Sequence, residues 1–97
     1  LENFIKECHR VLVAGGVVLH ICPNLIEACL RLANTAEWSD TLPYMIFGGN
    51  PDYEGNYHHT GFSPESAVRQ FKKAGFSEVI IWEYPIFDLE MIIEAWK

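Results

Sequence analysis

The 97-residue sequence is short of positive charge: seven Lys and Arg stand against thirteen Asp and Glu, a formal net charge of −6. A nucleic-acid footprint needs clustered basic side chains that displace condensed counterions, so nucleic acid is excluded as a partner. Docking on an anionic membrane is disfavoured for the same reason. Long apolar runs are also missing. None reaches the ~18 residues of a spanning helix, and no basic-then-apolar leader opens the chain. The expectation is a soluble, cytoplasmic protein. Cysteine is sparse: Cys8, Cys22 and Cys29 cannot all pair internally and form no C-x-x-C, so buried free thiols are expected. No His, Cys and carboxylate set has the spacing of a zinc site, and no metal is expected. The glycine-rich G-x-G-x-x-G fingerprint of a dinucleotide loop is absent as well.

What is present belongs to a packed protein. Apolar residues make up 49% of the chain and aromatics 13%, far from the composition of disorder. Leu1, Phe4, Ile5, Cys8 and Leu12 form a helical stripe, with Glu2, Lys6, Glu7 and Arg10 outside it, predicting a helix over 1–12. The helix lacks a capping signal at its start, so the beginning of the chain reads as a cut rather than a natural terminus. Gly15-Gly16 is expected to stop it. Residues 17–22 are an almost unbroken β-branched run, which reads as a parallel strand covered on both faces and ended by Pro23. Asn24 caps a second helix over about 25–37, with Glu27 placed as in a capping box. Residues 39–62 lose all periodicity while interleaving aromatics, predicting a long, ordered loop. Ser63-Pro64-Glu65 starts a helix whose buried stripe is Ala67, Val68, Phe71 and Ala74, ending at Gly75. Strands over 78–84 and 89–96, joined by a short link with Pro85 and Asp88, read as an antiparallel pair. The class is α/β, in one domain over 1–97.

Two ordered segments carry a resemblance. Glu7, Arg10, Val11, Leu12 and Gly15-Gly16, running into an apolar strand, resemble the "E-x-x-R-V-L-K-P-G-G" segment before the fifth strand of class I S-adenosylmethionine (SAM)-dependent methyltransferases. Val13-Ala14 stands where that segment has Lys-Pro. His58, Gly61-Phe62-Ser63, Glu65 and Ala74-Gly75-Phe76 resemble their "H-x-x-G-F-[ST]-x-E-x-L … A-G-F" segment. Phe47-Gly48-Gly49-Asn50 with Asn56-Tyr57-His58 is similar to "Y-G-G-Q … N-F-H" in a subgroup of predicted bacterial, type 11-like methyltransferases. The resemblance implies a Rossmann-like sheet of order 3-2-1-4-5-7-6, of which this chain would supply strands five (17–22), six (78–84) and seven (89–96), the last antiparallel, with covering helices. Residues 24–62 would then be the variable, substrate-side region facing a small-molecule acceptor. The family's cofactor grip, a Gly-rich loop after strand one and an acid ending strand two, has no counterpart in this sequence. SAM is therefore expected in a full-length parent, with no cofactor-binding residue here, and the 97 residues alone are expected to be inactive.

The resemblance and the chemistry of the residues single out a small set. His58 has the proton affinity for general base work or acceptor orientation near neutral pH, and the alternative is a loop histidine holding a carbonyl. His59 and Tyr57 would be substrate-side neighbours or simple packing residues. Asn24 serves as a helix cap and, lying where open α/β sheets place ligands, as a pocket residue. His20 reads as a core histidine, His9 as solvated, and Trp82 and Trp96 as core or interface. Two other readings stand beside the methyltransferase. One is the second half of another Rossmann-like nucleotide-dependent enzyme. The other is a non-catalytic module that dimerises through Val17–Cys22, antiparallel across a two-fold axis, because an unpaired apolar strand seeks a partner.

Overall fold

A computed structural model describes residues 1–35, 46–48 and 60–97. The described chain forms a three-stranded sheet with two helices against one face and a third helix leaving its end.

Helix α1 spans Glu2–Val11, with Glu2 in its first turn and His9 and Arg10 in its last, charges that suit the two ends of the helix dipole. Its stripe buries Ile5 almost completely, with Cys8 and Leu12 packed beside it, while Leu1 and Phe4 stay about half exposed. The helix does not run to the double glycine. Leu12 is already extended (φ −76°, ψ 143°), and a turn follows in which the Gly16 N–H donates to the Val13 carbonyl at 2.9 Å. Gly15 takes φ 80° there, a value that suits glycine at the third position of a turn. The C-terminal residue clamps this corner: the Lys97 ammonium donates to the Leu12 carbonyl at 2.8 Å, and the Lys97 N–H to the Gly16 carbonyl at 2.9 Å.

Strand β1 is Val17–Pro23, and Pro23 sits inside it as the last paired residue, opposite Glu90. The strand is not covered on both faces. Val17, Leu19 and Ile21 are exposed, alternating with half-buried Val18, His20 and Cys22. An unbroken apolar run hides such an alternation from the sequence, since both faces carry the same residue type.

Helix α2 (Leu25–Thr35) follows at once. The Asn24 carboxamide oxygen accepts from the N–H of Ile26 at 3.1 Å and of Glu27 at 3.3 Å, the expected cap. Ala28 is fully buried, packed in a small second cluster with Leu89, Leu32 and Phe87.

Helix α3 is Pro64–Lys73. Ser63 and Ser66 close a reciprocal capping box: the Ser66 N–H donates to Ser63 Oγ at 3.1 Å, and the Ser63 N–H to Ser66 Oγ at 3.0 Å. At the other end the Gly75 N–H bonds the Lys72 carbonyl and the Phe76 N–H the Phe71 carbonyl. That is a Schellman closure around a left-handed glycine, with Gly75 at φ 111°. Its apolar contact is Phe71 against Phe76, ring centroids 5.5 Å apart.

Strands β2 (Glu78–Glu83) and β3 (Glu90–Trp96) pair antiparallel as expected from sequence. The order, however, is β1-β3-β2, with β3 central and antiparallel to both neighbours. β1 and β2 therefore run in the same direction without touching, so the crossover between them skips a position that the chain fills last. Met91, Ile93 and Ala95 of β3 are buried under Ile5, Phe62, Ala67, Phe71 and Phe76, and α1 and α3 form that covering layer. Among the described residues no further strand pairs with the outer edge of β1 or of β2.

Candidate functional site: a groove at the strand ends

Where β1 and β2 end, four segments converge. The Asn24 N–H donates to the Leu89 carbonyl at 2.8 Å and the Leu25 N–H to the Phe62 carbonyl at 3.1 Å. Asn24 and Phe62 form an isolated parallel bridge. The start of α2, the lead-in to α3 and the entry to β3 are thus tied at one point. Gly61 makes the approach possible, since a Cβ there would come within 2.4 Å of Leu25 Cδ1. Phe62 then drops into the core at 4% exposure, and Ser63 caps α3. The Gly61-Phe62-Ser63 motif is fully used by folding: close approach, core anchor, cap.

Beside this junction a groove of about 790 Å³ opens. Asn24, Glu27 and Pro64 form one wall; the link from Ile81 to Asp88, with Glu90 and Met91, forms the other. Open α/β sheets place ligands outside the carboxyl ends of their parallel strands, and the groove lies at that end of β1 and β2. Its lining pairs apolar groups (Ile86, Phe87, Pro85) with the carboxylates of Glu27, Glu83, Asp88 and Glu90. Asp88 accepts from Arg31 Nη2, which links the groove rim to α2.

A second cavity of about 300 Å³ lies by the free edge of β1, between Leu1, His20, Cys22, Leu25, Thr60 and Phe62. His20 packs between aromatic rings, 5.8 Å from Phe4 and 6.3 Å from Phe62, and burial holds its pKa below the ordinary imidazole value. Burial, helped by the Glu90 carboxylate, pushes the Cys22 thiol up to about 11. Both groups are neutral at physiological pH, and a thiol that stays protonated is a poor nucleophile.

Of the residues singled out in the sequence, Asn24 is at the groove, with its carboxamide oxygen engaged as the helix cap. His58, His59 and Tyr57, and most of the 39–62 loop, lie outside the described residues. His20 is half-buried, as a core histidine would be. His9 is only partly exposed: it meets Phe76 edge-on at 5.0 Å and packs against Gly75. Trp82 and Trp96 are not core; they are 52% and 37% exposed. Of the thiols, Cys8 and Cys22 are partly buried and Cys29 is exposed, so buried thiols describe two of three at most. The groove wall at 83–88 was not foreseen. Its signal was the run Tyr84-Pro85-Ile86-Phe87-Asp88, too apolar for a plain hairpin link. Among the described residues no group of three His, Cys, Asp or Glu is placed to hold a metal, and no helix is long and apolar enough to cross a membrane.

Comparisons with protein-family models, with curated proteins and with solved structures returned no match.

Proposed function

We propose that this chain is the C-terminal, acceptor-side portion of a class I SAM-dependent methyltransferase domain, supplying a substrate-facing groove. The observation that carries the reading is the strand order β1-β3-β2 with β3 antiparallel to both neighbours. It coincides with the 5-7-6 order implied by the two motif segments, and those segments sit at the matching places: one leading into β1, the other around the start of α3. The residues described do not fit the cofactor itself. No glycine-rich turn joins a strand to a helix, and the groove rim carries carboxylates from Glu27, Glu83, Asp88 and Glu90. The chain's own contribution is positioning: a wall at the strand ends that orients an acceptor, the main protein contribution to an in-line group transfer.

Two measurements test this. Calorimetric titration of the 97-residue chain with SAM should give no binding, and micromolar affinity would sink the division of labour. The DNA immediately upstream of the Leu1 codon should encode a glycine-rich turn after a strand, then an acid ending a second strand about 20 residues later; an unrelated sequence there would overturn the family reading.

A second reading is favoured by the outer edge of β1, which no strand pairs with among the described residues. β2 opens and closes on Glu78 and Glu83, charges of the kind that keep sheet edges from pairing. β1 (VVLHICP) has no charge and its proline only at the end. An antiparallel pairing of two copies about His20 sets Leu19 beside Ile21 and Val18 beside Cys22, apolar against apolar, with the two His20 side chains facing each other at the centre. The result is a six-stranded sheet in a homodimer that need not be catalytic. Sizing with light scattering decides it: a monodisperse monomer removes the proposal.

A further inference from the structure

The groove at the strand ends carries negative charge on both walls. Its volume of about 790 Å³ is that of a cavity enclosing a small organic molecule, about 300–1,000 Å³. Glu27 lines the α2 wall, and Glu83, Asp88 and Glu90 line the other; among the described residues no Lys, Arg or His joins them. Asp88 is paired with Arg31 at the rim, so Glu27, Glu83 and Glu90 border a groove with no cation of its own. These carboxylates are spread out rather than gathered: among the described residues no three His, Cys, Asp or Glu are placed to hold a metal ion. Between them stand the rings of Trp82, Tyr84 and Phe87. The fold sets the walls in advance. Leu89 accepts the Asn24 N–H at 2.8 Å and packs against Ala28, and the link turns back where the Glu90 N–H donates to the Phe87 carbonyl at 3.1 Å. A ligand entering preformed walls loses little to ordering them.

We propose that this groove takes an organic amine in its protonated form, an ammonium group carried on an apolar or aromatic body. Both parts of the lining select that ligand. Carboxylates accept strong, charge-assisted hydrogen bonds from an ammonium, and they repel an anion, in a chain of net charge −6. The faces of aromatic rings attract an organic cation, while Pro85, Ile86 and Phe87 offer cover to its apolar body. A bare divalent cation has no use for the rings and needs several oxygens at one point, which spread carboxylates do not supply. Alkylamines, like the lysine side chain, carry their charge at neutral pH. The ligand's part as a methyl acceptor rests on the methyltransferase reading; its chemistry rests on the groove alone.

The test titrates the full 97-residue chain with benzylamine, benzyl alcohol and phenylacetate, three probes that share a ring and differ in charge. Backbone amide shifts report binding and its place. Benzylamine should bind at least about ten-fold more tightly than benzyl alcohol, with shifts at Asn24, Glu27 and 82–91, and phenylacetate should not bind. The double variant Glu27→Gln, Glu83→Gln changes two exposed side chains. It should weaken benzylamine by about ten-fold and leave benzyl alcohol as it was. Glu65→Gln, an exposed acid outside the groove, should change neither. Equal affinity for amine and alcohol, tighter phenylacetate, no benzylamine binding, shifts elsewhere, or full affinity in the double variant would each overturn the proposal. So would calcium ions that move the same amides at concentrations below those of benzylamine. If the double variant does not fold, the three probes on the unchanged chain still decide. Amine binding beside an unrelated upstream sequence would keep the groove's ligand and remove the methyltransferase; a methyltransferase sequence upstream with no amine binding would do the reverse.

Discussion

The two faces of one small sheet are built from nearly the same residue types and have opposite fates. On one face Met91, Ile93 and Ala95 are at most 1% exposed, sealed by Ile5, Ala67, Phe71 and Phe76. On the other, equally apolar Leu19, Ile21 and Trp82 are about half exposed or more. Residue chemistry does not separate them. Helix placement does, because α1 and α3 both end in tight, chain-specific corners that turn them onto the same side. A strand's alternation says that there are two faces, and only the connections say which is covered.

The sharpest way to break this comparison is to remove one large ring from each face. Phe71→Ala should cost about 3–5 kcal/mol, lost transfer energy plus a cavity, and in a domain this small that would leave little folded protein. Trp82→Ala, on the open face, should cost well under half as much, because half the ring is already in water. Chemical denaturation followed by circular dichroism measures both. Equal losses would mean that the outer face is packed in solution, by a partner or a second copy.

Next in size is the corner that directs α3. Ser63→Ala deletes the oxygen that accepts the Ser66 N–H and should cost about 1 kcal/mol. A loss within error would show that Pro64 and the burial of Phe62 alone set the helix start.

The smallest expected effect is a pH dependence at His20, half-buried on β1. Burial lowers the His20 pKa in the folded chain, so the unfolded chain binds more protons as pH falls through the imidazole range. Stability from this group is complete above the unfolded value, near 6.5, and declines as pH drops through and below it. Thermal midpoints at pH 7.5 and 5.0 should therefore differ less for His20→Gln than for the unchanged chain. An identical pH slope would place the imidazole in water.

Much of the fold was legible in the residues. The stripe of α1, the Asn24 and Ser63 caps, the Gly75 stop and the final antiparallel pair are local signals, each spelled by neighbours within four positions. The predicted helix over 1–12 matches α1, Glu2–Val11 with Leu12 as its C-cap, while Gly15-Gly16 serves the turn that Lys97 clamps from the far end of the chain. The exposed face of β1 was hidden by its uniform apolarity. The candidate site was legible only through Asn24. Its opposite wall, 83–88, lies some sixty residues further on and joins the groove because Leu89 receives the Asn24 N–H.

The sequence alone determined which segments are helix and which are strand, since caps, stripes and glycine stops act over short distances. Tertiary structure decided that the last strand enters the middle of the sheet, that both helices cover a single face, and that a groove opens where β1 and β2 end. Those outcomes depend on contacts between residues some 60 to 85 positions apart, such as Asn24 with Leu89 and Leu12 with Lys97. No local preference encodes such contacts; the burial of one shared core selects them.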